Sequence, residues 1–401
     1  MDDVSRTTLL CLASYEKGAE FLRESKRLGC HVILVTATSL EHAPWPRESI
    51  DELFTMPDLS AGDDVCNGVS YLARTRVIDR IVPLDDYDVP TAAALREHLQ
   101  LSGMGVSLTR HFRDKLAMRV CTRDGHILVP DFVHVLNHDS IHDFTHHVPP
   151  PWVLKPRAEV SSIGIAKIAD EQDLWHRIEG LGDRQSHYLL ERYIPGDVFH
   201  VDSLTCGGEV LFAEAHEYVR PPMDVFHSGG IAMSRTMRRG SKDERLLLEM
   251  NRRVLAVLGM EQGVTHLEFI RGRDDGRLFF LEVGARVGGA HTAEMIEAST
   301  GVNLWREWAR LEVLGKRYWL AQRDQKYAGV IISLARQEHP DTAAYADPEI
   351  VYRVNKRHHV GFIIASEDVE RVRDLQHAYA ERIADDFAAT MPPWQDRPPT
   401  V

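Results

Sequence analysis

THLEFIRGRDDGRLFFLEVGARVGG, residues 265–289, reads as two alternating strands around a short charged loop. The two-residue period places His266, Glu268 and Ile270 on one face of the first strand, and Leu278, Phe280 and Glu282 on one face of the second. GRDDG (272–276) supplies the turn of a hairpin. Such a hairpin brings Glu268 and Glu282 within a rung or two of each other, with the register left open by sequence. Two carboxylates held about 4 Å apart near a protein surface repel by about 4 kcal/mol at an effective dielectric of about 20. A positive group belongs between them. A divalent cation with oxygen ligands is the economical choice, because Mg²⁺ uses one or two carboxylates together with substrate phosphates. The alternative is that one Glu faces solvent and the pair never meets. Arg286 and the Gly288-Gly289 pair follow at once, where plain packing asks for neither a cation nor a free backbone.

Upstream, DERLLLEMNRRVLAVLG (243–259) is an amphipathic helix with Leu247, Met250, Val254, Val257 and Leu258 on one stripe and Gly259 at its end. EYVRPPMDVFHSGGIAMSR (217–235) has the Pro, Gly and polar content of a substrate-facing loop, in which Arg220 and His227 can meet a carboxylate or move a proton. Plain solvent exposure is the alternative for that histidine. HYLLERYIPGDVFHVDSLTCGGEVLFAEAHEYV (187–219) is a block of strands, with Glu191 ending an apolar run and a Pro195-Gly196 turn after it. PPPWVLKPRAEVSSIGIAKIADEQDLWHRIEGL (149–181) gives a strand ending at Lys155-Pro156, a small polar loop with Ser161, Ser162 and Gly164, a second strand and a helix. HFRDKLAMRVCTRDGHILVPDF (111–132) reads as a helix, a turn at Asp124-Gly125 and an extended HILVPDF.

The first hundred residues alternate strand and helix. TTLLCLAS (7–14), HVILVTAT (31–38), ELFTM (52–56) and IVPL (81–84) are the strands. Between them run a helix with Phe21, Ser25 and Leu28 on one face and helices through CNGVSYLARTR (66–76) and PTAAALREHL (90–99). The pattern predicts a parallel sheet covered by helices on both faces. No GxGxxG follows the first strand, so a dinucleotide site is not expected there.

At 401 residues the chain should divide into two or three domains. A net charge of −13 without a basic patch argues against a nucleic-acid partner. Without an apolar stretch near the ~18 residues that span a bilayer, or a leader in MDDVSRTTLL, the expectation is a soluble cytoplasmic protein with no membrane partner. The five cysteines are scattered and read as reduced thiols. The 21 histidines do not cluster at ligand spacings, and the tail MPPWQDRPPTV is expected to fray or pack extended.

From 115 to 289 the chain resembles the ATP-grasp superfamily, whose members make an acyl phosphate from a carboxylate and ATP and pass the acyl group to a nucleophile. The resemblance lies in RDKLAMR (Lys115), WVLKPRAEVSSIGIAKI (Lys155, Ser161, Ser162, Gly164), LLERYIPGDVFHVD (Glu191, Asp197), HLEF (Glu268) and LEVGARVGG (Glu282, Arg286), in family order. The layout is most similar to the L-amino-acid ligases that form dipeptides. It implies an α/β ATP-grasp module over 106–300, a small Rossmann-like parallel-sheet domain before it (1–105) and a C-terminal α+β lobe (301–401). It further implies that Lys115 and Lys155 bind the α- and β-phosphates and that the Ser161, Ser162 and Gly164 loop binds the triphosphate. Glu191 with the backbone of Arg192, Tyr193 and Ile194 would meet adenine, and Asp197 the ribose, in place of the family's usual Glu. Glu268 and Glu282 would hold Mg²⁺, as one ion or two, for which Mn²⁺ can substitute. Arg286 would bind the acyl phosphate or the substrate carboxylate, with Gly288 and Gly289 as backbone donors beside it. Gly284 stands where many members carry a metal-binding Asn. The implied reaction couples a carboxylate to an amine and releases ADP and phosphate. A carboxylase- or purine-pathway-type enzyme, or a nucleotide-binding protein without turnover, stays open, as does a homodimer.

Overall fold

The computed structural model describes residues 6–389 apart from 161, 229 and 322–323, and without the side chains of 226–228. Strands β1 (Thr8–Ala13) and β2 (His31–Ala37) are apolar on both sides and buried along nearly their whole length, as strands covered on both faces must be. Helix α1 (Ala19–Arg27) joins them. β3 (Glu52–Met56), α2 (Gly62–Ala73), β4 (Arg80–Pro83) and α3 (Val89–His98) complete a four-stranded parallel sheet of order β3-β2-β1-β4. The expected strands and helices of this region are all present. Asp85, Asp86 and Asp88 lie buried just past the carboxyl end of β4, the end at which open parallel sheets bind ligands.

A second layer follows. After the short α4 (Val106–Thr109), helix α5 (Lys115–Asp124) is capped by Asp114, whose carboxylate accepts from the N–H groups of Leu116 and Ala117. β5 (Phe132–His134), α6 (His138–His147), β6 (Trp152–Pro156), β7 (Ala166–Ile168), α7 (Glu171–Leu181) and β8 (Tyr188–Arg192) form an antiparallel sheet of order β5-β8-β6-β7. The HILVPDF stretch becomes a strand only at its end, where β5 begins; before that, the Leu128 carbonyl accepts the Phe280 N–H.

The largest sheet comprises β9 (Gly196–Cys206), β10 (Glu209–Tyr218), β11 (Ala232–Thr236), β12 (Gln262–Gly272) and β13 (Leu278–Gly284), interleaved with α8 (Pro222–Ser228) and α9 (Lys242–Leu258). Helix α9 ends on Gly259 at φ 80°, a left-handed conformation that favours glycine. After α10 (Thr292–Thr300) and α11 (Leu304–Leu314), strands β14 (Tyr327–Leu334), β15 (Ile350–Arg353) and β16 (His359–Ser366) join the same sheet, and α12 (Val369–Asp386) packs on it. The order is β13-β12-β9-β10-β11-β14-β16-β15, antiparallel throughout, so the strands beyond residue 301 continue the sheet that carries Glu268 and Glu282.

Strict alternation fails along β13. Glu268 pairs with Glu282 but Phe269 pairs with Phe280, so Leu281 is the extra residue of a β-bulge. Phe280 therefore faces the core with Phe269 and Leu267, whereas Glu282 turns to the opposite side beside Glu268. The expected common face for Phe280 and Glu282 is overturned: with Leu281 kept but paired in regular alternation, Glu282 would point into that core.

Candidate active site

A cleft opens between the small antiparallel sheet and the large one, with Lys155, Glu191 and Ile194 on one wall and Val198, Glu268 and Glu282 on the other. Lys155 pairs with Leu189 across β6 and β8, and Glu191 pairs with Val153, so Lys155 and Glu191 are diagonal neighbours on one face. Lys155 forms an ion pair with Glu191 Oε1, while Arg119 Nη2 and Nε hold Oε2 at 3.0 and 3.1 Å. All three groups are buried. Burial pushes the Lys155 ammonium down to about 8, against the pull of Glu191. Burial acts to raise Glu191, but Arg119 and Lys155 prevail and hold it below the usual carboxylate range. Both oxygens of Glu191 are thus occupied, and what this stretch offers a ligand is the backbone and the apolar side chain of Ile194.

Lys115 begins α5, its N–H tied to the Arg157 carbonyl at 2.8 Å. Its ammonium donates to the Glu159 carbonyl at 2.6 Å and lies 3.1 Å from Glu282 Oε2. Glu268 accepts from Tyr218 Oη at 2.9 Å. Two carboxylates directly opposed on neighbouring strands at a cleft wall are an all-oxygen donor set, which suits a hard divalent cation. Burial acts to raise the Glu282 carboxyl, but Lys115 and Lys155 outweigh it and hold the group below the usual range.

Beyond Lys115 and Glu282 the cleft runs into a smaller recess lined by Asp86, Arg113, Glu159, His266, Gly284 and Arg286. Arg286 Nε donates to Asp86 Oδ2 at 2.5 Å and Nη1 to the Val287 carbonyl at 3.0 Å. Asp86 belongs to the parallel-sheet region, so the pair joins it to the loop after strand β13. Opposing burial, Asp86 raises the Arg286 pKa further above its ordinary value.

Residues 148–294 match the sequence profile of the ATP-grasp domain. The chain carries an ATP-grasp domain. It is 23% identical over 300 residues to an L-arginine-specific L-amino acid ligase of Bacillus subtilis, spanning 73% of this chain and 72% of that protein. The structure superposes on an L-amino acid ligase from Bacillus licheniformis with a TM-score of 0.78 at 17% identity, covering 98% and 99% of the two chains. It also superposes on the biotin carboxylase domain of a Hydrogenobacter thermophilus 2-oxoglutarate carboxylase bound to MgADP, with a TM-score of 0.70 at 15% identity and 96% and 90% coverage. The fold is the α/β ATP-grasp fold with a small parallel-sheet domain ahead of it.

Within the ATP-grasp domain one expected position differs. Asp197 is exposed and points away from the cleft, because β9 alternates: Gly196 and Val198 line the cleft, while Asp197 shares the other face with Phe199. Asp197→Ala should therefore leave ADP affinity within about twofold, as surface substitutions usually stay within about 0.5 kcal/mol; calorimetric titration checks this, and a tenfold loss would restore the residue to the site. Gly289 caps α10 through its carbonyl, which accepts from Thr292 N–H and Oγ1 at 3.0 and 2.6 Å. A side chain at Gly284 would begin 3.1 Å from Asp86 Oδ1, so an Asn there meets the Asp86–Arg286 pair. Ser162 lines the cleft at φ 60°, and at Gly164 (φ 68°) a Cβ would come 2.9 Å from Pro156 Cγ. Ser161 and the His227 side chain lie outside the described residues.

Other convergences have no counterpart in the sequence reading. His200, His216 and His266, on three adjacent strands, gather around Asp202, so the histidines do cluster. The HVDSL pattern of β9 held a signal, since His200 and Asp202 alternate into the sheet's buried face. Burial lowers His200 to about 4, whereas Asp202 overcomes burial and raises His266 to about 9. Nothing in the sequence sets Arg119 apart from other helix cations, and Asp86 lies far before the arginine it holds in the chain.

Proposed function

We propose that this protein is an ATP- and Mg²⁺-dependent ligase that activates an amino-acid carboxylate as an acyl phosphate, couples it to an amine and releases ADP and phosphate. The observation that carries this reading is the Glu268–Glu282 pair, directly opposed at a cleft wall with Lys115 and Lys155 beside it. Ile194 and Val198 give a planar base an apolar slot, edged by the backbone of Arg192, Tyr193 and Ile194. Lys115 and Lys155 bind phosphate oxygens as point charges, and the loop around Ser162 adds backbone N–H groups. Glu268 and Glu282 hold Mg²⁺, for which Mn²⁺ substitutes. When bound, the ion neutralises phosphate charge as the phosphoryl group moves. Arg286, oriented by Asp86, binds the substrate carboxylate through its planar fork, Gly288 and Gly289 add backbone N–H groups, and His227 moves the amine's proton. An amino acid as substrate is supported by the likeness to the L-arginine-specific ligase and by a recess that sets Arg286 and Arg113 against Asp86 and Glu159, opposite charges suited to a zwitterion. No helix among the described residues is long and apolar enough to cross a membrane, and we place the enzyme in the cytoplasm.

The test is incubation with ATP, Mg²⁺ and pooled amino acids, followed by chromatography of nucleotides and mass spectrometry of products. ADP with a dipeptide mass is expected. AMP as the main product would sink the mechanism, and bicarbonate-stimulated turnover without an amino acid would favour a carboxylase.

Lys155 makes a pH prediction. Its ammonium titrates near 8 in the free protein, and bound phosphates favour the charged form, so its pKa is higher in the complex. Below about pH 7 both states are protonated and affinity is flat. Above about pH 8 binding must take up a proton, so ADP affinity should fall by up to about tenfold per pH unit until the bound pKa is reached. Lys155→Ala should lose at least about tenfold in affinity at pH 7, the ~1.4 kcal/mol of one charge-assisted contact, and also lose this slope. Fluorescence titrations from about pH 6.5 to about pH 9.5, spanning both limbs, decide; a slope that survives in the variant belongs to another group.

A further inference from the structure

The proposed chemistry does not use the polar knot beneath the cleft. Asp202 is fully buried on β9, where an unpaired carboxylate would cost several kcal/mol. Its Oδ2 lies 2.6 Å from His200 Nδ1 and 3.5 Å from His216 Nδ1, and its Oδ1 lies 2.8 Å from His266 Nδ1. His200 Nε2 is closed off by Ser234 Oγ at 2.6 Å. His200 and His266 thus bond directly to the carboxylate, at hydrogen-bond lengths. Packing alone would be met more simply by apolar side chains on these strands.

We infer that Asp202 is a positioning residue for the metal-binding carboxylate Glu268, acting through His266 and Tyr218, an inference that rests on the proposed role of Glu268 in holding Mg²⁺. His266 precedes Glu268 by two residues on β12, so the two side chains share a face. Asp202 fixes the imidazole by its Nδ1 edge and thereby aims Nε2 at the far side, 3.4 Å from Tyr218 Oη and 3.6 Å from Glu268 Oε1. Tyr218 donates to that same Oε1, so one carboxylate oxygen is tied down and the other is left for the cleft. Asp202 also lies close to the loop after β13: a Cβ at Gly288 would come 2.8 Å from Asp202 Oδ1. One buried acid therefore holds the imidazole behind Glu268 and lies next to the backbone that follows Arg286. Residues that orient metal ligands from behind typically cost about 10–100-fold in metal affinity when changed.

The experiment compares the parent protein with Asp202→Asn in three measurements: Mn²⁺ affinity of the ADP complex by electron paramagnetic resonance, ADP affinity in EDTA, and thermal unfolding without ligand. Mn²⁺ affinity is expected to fall by about 10–100-fold, with metal-free ADP affinity unchanged. Unchanged Mn²⁺ affinity, or equal losses with and without metal, overturns the inference, because a merely structural acid would not act on the metal alone. If Asp202→Asn does not fold, His266→Asn replaces it: its amide can still meet Asp202 but nothing reaches the Nε2 position, and the same selective loss is expected. Glu268→Gln separates this inference from the reading beneath it. Mn²⁺ binding that is indifferent to Glu268→Gln overturns the metal site and the inference with it, whereas sensitivity to Glu268→Gln with indifference to Asp202→Asn overturns the role of Asp202 alone.

Discussion

Glu282→Gln should lower the rate of ADP formation by about a thousandfold while leaving metal-free ADP binding intact. The amide keeps the size of the side chain and one oxygen, but it removes the charge that opposes Glu268 across the hairpin and faces Lys115 at 3.1 Å. A bound divalent ion contributes several kcal/mol to stabilising a phosphoryl-transfer transition state. At about 1.4 kcal/mol per factor of ten, ~4 kcal/mol corresponds to that thousandfold. Because the neutral amide does not repel phosphate as the carboxylate does, ADP affinity in EDTA should stay level or rise slightly. A loss of turnover smaller than about tenfold at saturating Mg²⁺, less than the ~1.4 kcal/mol of a single decade, would show that Glu282 does not ligate the ion.

The second large effect is on stability. Glu191 is buried between Arg119 and Lys155 and is the counter-charge of both. Glu191→Gln leaves two buried cations facing a neutral amide, and breaking a buried pair by removing one partner costs about 3–5 kcal/mol. The loss should appear as a lowered urea midpoint in the absence of nucleotide, and bound ADP should recover part of it by bringing negative charge to Lys155. A midpoint equal to that of the parent would mean that water already screens these cations.

Much of the architecture was legible because it rests on short-range pattern. Apolar runs such as TTLLCLAS and HVILVTAT can only be strands buried on both faces, and 243–258 repeats its leucines and valines at helical spacing. The acids of the hairpin were also visible, since Glu268 and Glu282 interrupt apolar strands. What stayed hidden depended on a single step of phase or on long-range register. Asp197 and Val198 are adjacent, and only the start of β9 at Gly196 decides which of them meets the cleft. Leu281 is at home on either face of a strand, so nothing in its chemistry announces a bulge. The histidine cluster needs three strands in register, and the Arg286–Asp86 pair joins two separate sheets.

The Leu281 bulge carries a consequence for how this surface can change over time. Which side of the sheet Glu282 occupies depends on the ladder absorbing Leu281 as a surplus residue, not on the identity of any side chain. The Leu281 carbonyl is taken up by Arg119, so the extra residue is fastened to the helix that also supports Glu191. Losing the Leu281 codon would join Phe280 to Glu282 in regular alternation, leaving the acid opposite Glu268 but depriving Arg119 of the carbonyl it now holds. Among sequences that share this pattern, hairpins with and without the extra residue therefore present the same pair of glutamates, and strict alternation from the apolar positions is a poor guide to which way the second one points.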